Sequence, residues 1–489
     1  MSRIPVDCLN EIFEYLEYDK FSLRSCILVN RLWCELSMRI LWRDVWNYST
    51  SNFITLIACL PNESKEILYE NGIIISASTS KTPTFNYASF CKVLSFGRVY
   101  FKIGRLLKDQ QNILRLGLDN KTNIVSQEIF KMFMKEIPSL RSLSFFTYPK
   151  LIFKLYPGTK DCLKNLSQLH CSSDYSSEIF YQLSQICYNI QSFTLNVEKI
   201  VSNGLVDLIS VQRNLKFFSI LYYGRSESVN GLSNRILSLM SKFPNILTEL
   251  VIYGENNHLS LSFIANFSNL QELALSFNQS SCFIDFEKLQ YVIFSRLHVL
   301  KINKRYPRVE LLIKFLENNG KNLKEIYIGE SERAFCSDNS LNLAIAKFCP
   351  NLRKLSVGIK YNELETLKII FNSCKNLESI RIWCGEYYLN EKEALETFTN
   401  YSSQNIYELI LYYRLYEVRV KLLPKELESF FTSWVDRKPQ KSLSLIIVKN
   451  NEISLVNNNE NVEIINKYIK LGVVKKFIIT DFTDFEYNF

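Results

Sequence analysis

Residues 349–384 read CPNLRKLSVGIKYNELETLKIIFNSCKNLESIRIWC. The stretch holds one phrase twice, Asn351-Leu352-Arg353-Lys354-Leu355-Ser356-Val357 and Asn376-Leu377-Glu378-Ser379-Ile380-Arg381-Ile382. Alternation at the end of each copy puts Leu355 with Val357, and Ile380 with Ile382, on one face of a short strand. Between the copies, Leu364, Leu367 and Phe371 recur at helical spacing. A strand–helix unit of this kind has one apolar face on each element and cannot bury both alone. Stacking such units buries them in a continuous core.

Working outward, the same phrase begins at Asn189, Asn214, Asn269, Asn322 and Asn405, with looser copies from Leu114, Leu140, Leu166, Leu247 and Leu297. Leu140, Leu166, Ile190 and Leu215 follow at intervals of 26, 24 and 25 residues. Longer gaps, Leu215 to Leu247 and Ile406 to Leu443, are expected to carry inserted loops. A period in the twenties with this phrase is the signature of leucine-rich repeats. The predicted fold is α/β, with parallel strands on a concave face and helices outside. Strands are predicted near 142–146, 192–196, 217–221, 249–253, 272–276, 299–303, 325–329, 354–358, 379–383 and 408–412. Helical spacing also occurs at Ile236, Leu239 and Met240, and Phe243-Pro244-Asn245 reads as a turn into a strand because proline stops a helix.

The N-terminal stretch has a different pattern. Residues 4–46 read IPVDCLNEIFEYLEYDKFSLRSCILVNRLWCELSMRILWRDVW. Pro5 suits a first helical turn, and Leu9, Ile12, Phe13 and Leu16 follow at helical spacing. Further apolar sets at Leu23, Cys26 and Ile27, at Leu32, Trp33 and Leu36, and at Ile40, Leu41 and Trp42 predict three short helices. A module this small buries little surface, so an apolar face is expected to remain for a partner. The segment resembles an F-box through Ile4-Pro5, Asp7, Leu9, Ile12, Leu16, Val29-Asn30-Arg31 with Trp33, and Leu41-Trp42. Ile4 and Asn30 depart from the family's usual Leu and Cys. Cys187, Cys349 and Cys374, each three residues before the first apolar anchor, resemble the cysteine-containing repeats common in F-box proteins. A small thiol suits a turn directed inward at that point.

The resemblance implies a substrate receptor of a Skp–cullin–F-box ubiquitin ligase. It implies binding of a Skp-family adaptor, and through it a cullin, by Pro5, Leu9, Ile12, Leu16, Val29, Trp33, Leu41 and Trp42. The repeats would capture a protein substrate of unknown identity. The alternative is a non-catalytic scaffold that binds partners without promoting ubiquitin transfer. Among outward strand positions, Tyr327, Arg381, Trp383 and Tyr412 are the residue types that anchor protein interfaces, and are the expected substrate-binding residues. The domain reading is F-box over 1–46, helical or irregular connector over 47–111, and solenoid over 112–489. Ser76 to Pro83 reads as a linker.

Composition excludes several function classes. Hydrophobic residues make up 47% of the 489, and the net charge of +9 is diffuse, so neither a nucleic acid nor a membrane partner is expected. Thirteen scattered cysteines without a Cys-x-x-Cys pair argue against disulfides and zinc, and predict a cytoplasmic or nuclear chain with reduced thiols. The first residues lack a basic start and a continuous apolar run, so no secretory leader is expected. Three histidines, no phosphate-binding loop and no nucleophile elbow leave no enzyme and no cofactor to predict.

Overall fold

The computed structural model describes residues 5–75, 83–111, 115–146, 156–198, 201–222, 246–254, 260–329, 338–385, 387–413, 422–437, 441–449 and 455–481. Ile4, the 76–82 linker, the copy at Leu114, the 236–240 spacing and the Phe243-Pro244-Asn245 turn lie outside these residues. The chain divides into two compact units, Met1–Phe218 and Ser219–Phe489.

The first unit opens with three short helices, α1 (Val6–Glu14), α2 (Lys20–Cys26) and α3 (Arg31–Leu41). Each start has a local cause. Pro5 precedes α1. The Asp19 side chain accepts from the Ser22 N–H (3.0 Å), and Asn30 accepts from the Trp33 N–H (3.0 Å). Leu9, Phe13, Leu23, Leu36 and Ile40 form the module's core, with Leu16, Cys26, Trp33 and Leu41 at its edge. Arg43 joins Glu14 (2.6 Å), tying the end of the module back to α1.

Beyond it the strand ladder starts earlier than the repeat phrase. β1 (Val93–Ser95) pairs in parallel with β2 (Ser142–Phe145), although residues 47–111 read as connector. The backbone of Lys92 and Val93 donates to the Arg43 carbonyl (2.7 and 3.0 Å), so the module is attached directly to the first strand. Helices Phe96–Gln111 and Arg115–Glu136 lie between β1 and β2. β3 (Gln168–Ser172) and β4 (Ser192–Val197) continue the parallel order. β5 (Phe217–Tyr222) crosses the division, and its first N–H bonds to Gln191 (3.0 Å).

The second unit carries β6 (Glu249–Gly254), β7 (Glu272–Phe277), β8 (Val299–Lys304), β9 (Glu325–Ile328), β10 (Lys354–Val357), β11 (Ser379–Cys384), β12 (Glu408–Tyr413), β13 (Leu443–Lys449) and β14 (Val474–Asp481). Each pairs in parallel with the next. The register places Leu250, Leu273, Leu300, Ile326, Leu355, Ile380, Leu409 and Leu445 side by side, all buried. Aromatic contacts such as Phe371–Phe398 (6.2 Å) and Phe398–Trp434 (5.2 Å) join successive helices across repeats. This is an α/β array with the order the repeat phrase predicts: parallel strands in chain order, each returned by a helical or irregular segment.

Candidate protein-binding surfaces

Three surfaces stand out: the N-terminal module, the open face of the second unit's strands, and the edge where those strands begin.

Nine of the thirty exposed large apolar side chains among the described residues fall between Val6 and Trp46. Tyr15 (88%), Tyr18 (93%), Phe21 (82%) and Leu28 (87%) stand almost fully in solvent, with Ile12 and Val29 about half exposed. Of the eight residues expected to bind an adaptor, Pro5, Ile12 and Val29 are accessible, and Leu16, Trp33 and Leu41 are partly so. Leu9 and Trp42 need correction. Leu9 lies in the module's core, and Trp42 is buried against Tyr48 (5.0 Å) and Tyr87 (4.5 Å). Helical spacing finds the apolar set but does not divide it between core and solvent, so the exposure of Tyr15, Tyr18, Phe21 and Leu28 is not legible from it.

The open face departs further from expectation. Tyr327, Arg381, Trp383 and Tyr412 do come together, but they are buried, not exposed. The Arg381 guanidinium lies 5.8 Å from the Tyr327 ring and 5.7 Å from that of Tyr412. Trp383 packs edge-on against Tyr388 (5.3 Å) within a cluster that includes Ile410, Tyr412, Ile446 and Val448. The cause is density. Adjacent parallel strands stand about 4.8 Å apart, so large side chains in register cover one another, and Tyr388 folds in from the turn after β11. Gly358 makes the room, since a Cβ there would lie 2.6 Å from Trp383 and 2.7 Å from Tyr388. What the sequence presents as an anchor patch is a second, smaller core. Beside it, outward charges on neighbouring strands pair: Glu272 with Lys301 (2.8 Å) and Glu325 with Lys354 (3.0 Å).

The third surface had no sequence signal beyond the repeated Asn. A groove of about 490 Å³ runs along the strand-start edge, lined by His298, Lys321, Lys324, Arg353, Glu378 and the phrase asparagines. His298, Lys324, Arg353 and Glu378 each stand one residue before a strand, and each carbonyl accepts the next repeat's first N–H groups. Asn351 and Asn405 use their amide nitrogens on the carbonyls of Lys321 (2.9 Å) and Lys375 (3.0 Å). Partial burial, then neighbouring Lys324, lowers the His298 pKa.

The repeat cysteines pack inside the array. Cys187, Cys349 and Cys374 are buried, and burial pushes the Cys187 and Cys374 thiols up to about 12, far from the thiolate a nucleophile needs. Among the described residues no cluster of His, Cys, Asp and Glu suits a metal, and no helix is long and apolar enough to cross a membrane.

No protein-family model and no curated protein matches this chain. Among solved structures it is similar to the leucine-rich repeat-containing protein LegL7 from Legionella pneumophila, at 14% identity over 62% of this chain and 93% of that chain, with a TM-score of 0.36. The repeat assignment rests on the recurring phrase and the parallel register.

Proposed function

We propose that this chain is a substrate receptor of a cullin–RING ubiquitin ligase. Its N-terminal module binds a Skp-family adaptor, and its repeats bind a target protein. The observation that carries the reading is the concentration of exposed apolar side chains on α1 to α3 and the turns around them, in a segment that resembles an F-box. Exposed apolar surface of this kind marks a binding site. The chain performs no chemistry of its own. It holds the target near the ubiquitin-charged enzyme, raising the effective concentration of a target lysine.

The test is co-capture of purified full chain with a Skp-family adaptor and a cullin. The reading expects adaptor binding, with cullin recovered only when adaptor is present. Ile12→Asp with Val29→Asp should remove both partners. Adaptor recovered without cullin would favour the scaffold alternative, and no adaptor at all would refute both the receptor and the F-box resemblance.

A further inference from the structure

We propose that the strand-start groove of the second unit binds an extended peptide segment carrying anionic side chains. The argument begins with register. His298, Lys324 and Arg353 occupy equivalent positions on three consecutive strands, about 4.8 Å apart. They therefore form a row of cationic or protonatable groups fixed by backbone pairing. Lys321, exposed at the preceding turn, adds a further charge.

The row is only partly neutralised, by Glu378 at its end. Among the described residues neither Lys321 nor Lys324 has a carboxylate within ion-pair distance. Arg353 meets only Glu378, at 3.6 Å, with its own side chain more than half exposed. A partner supplying carboxylates or phosphates would complete these charges. The asparagines suit a peptide in particular. With the nitrogens of Asn351 and Asn405 held by backbone carbonyls, their side-chain oxygens remain to accept from peptide N–H groups. None of the groove's lining residues is Phe, Tyr or Trp, so successive bases of a single-stranded nucleic acid find no run of large rings to stack on. Two strand spacings, about 10 Å, match one turn of a polyproline II segment, three residues at about 3.1 Å each, so anionic side chains at positions i and i+3 share a face and can reach the His298 imidazole and the Arg353 guanidinium.

This inference is independent of the ligase reading, since peptide binding needs no adaptor. The experiment is fluorescence anisotropy on the full chain with labelled peptides of about eight residues. One carries Asp and Glu three residues apart, one carries phosphoserines there, one carries Asn and Gln, and an oligothymidylate serves as the nucleic-acid probe. The anionic peptides should bind, the neutral one at least about tenfold more weakly, and Lys324→Glu with Arg353→Glu should cost about tenfold or more. The stronger of the two anionic peptides identifies the anion as carboxylate or phosphate. Lys324→Arg should retain binding, which separates charge from packing. Equal binding of the neutral peptide, indifference to the charge reversals in a folded variant, or tighter binding of the oligonucleotide would overturn the proposal.

Discussion

At four of the turns that close repeats, one side chain reaches back to the repeat before it. Cys374 donates its thiol to the Cys349 carbonyl (3.5 Å), and Cys187 donates to that of Leu163 (3.7 Å). Gln212 and Asn319 do the same with amides. Gln212 accepts from Ile190 N–H (2.9 Å) and donates to the Cys187 carbonyl (2.7 Å). Asn319 accepts from Phe294 N–H (2.7 Å) and donates to the Val292 carbonyl (2.8 Å). The cysteines are visible in the sequence because they break its composition; the buried amides read as solvent-facing. Asn319→Leu should cost about 2 kcal/mol or more, because it strands a buried N–H and a carbonyl, and denaturant titration measures it. Glu391 offers a pH test. It is buried, takes the Tyr413 hydroxyl and the Leu422 N–H (3.0 Å), and burial raises its pKa. The folded state therefore favours its protonated form. That contribution is full below the ordinary carboxylate pKa of about 4.3 and is lost as pH rises through the folded value. Glu391→Gln should gain melting temperature relative to the parent as pH rises from 4 to 7; a constant difference would contradict this.

Elements register such details as spacing. A Cβ on Gly204 would lie 1.9 Å from the Ser177 carbonyl oxygen, so helices Ser177–Ser184 and Asn203–Ser210 touch through a missing side chain. Gly204→Ala should destabilise the first unit by about 1–3 kcal/mol, seen as a lower melting temperature. In the N-terminal module, Leu9→Ala should cost about 2–5 kcal/mol as a core truncation, whereas Ile12→Asp should change stability by less than about 0.5 kcal/mol. All ten predicted strands are present within a residue or so, because alternation after a fixed phrase survives any choice of surface residue. β1, β3, β13 and β14 were not predicted. β1 is three residues long and has no phrase before it, and β14 meets β13 through a register shift at Leu443/Ser444. β3 follows a looser copy, with His170 at an outward position. The candidate site was less legible. Residue type marks Trp383 and Arg381 as interface anchors, but only the neighbouring strands and Gly358 show that they bury one another.

On the scale of the whole molecule, the two proposed surfaces belong to different compact units, the module to the first and the groove to the second. Their energetics should be independent. Lys324→Glu with Arg353→Glu should leave adaptor binding unchanged, and Ile12→Asp with Val29→Asp should leave peptide binding unchanged, since sites in separate units that share no partner contribute additively. Calorimetric titration of each variant with each partner checks this. The central claim, that α1 to α3 form the adaptor-binding face of a receptor, is tested most directly by hydrogen exchange on the full chain with and without a Skp-family adaptor. The account predicts slowed exchange concentrated between Val6 and Trp46 and little change in the second unit's strands. Binding without protection there, or protection confined to the repeats, would contradict it.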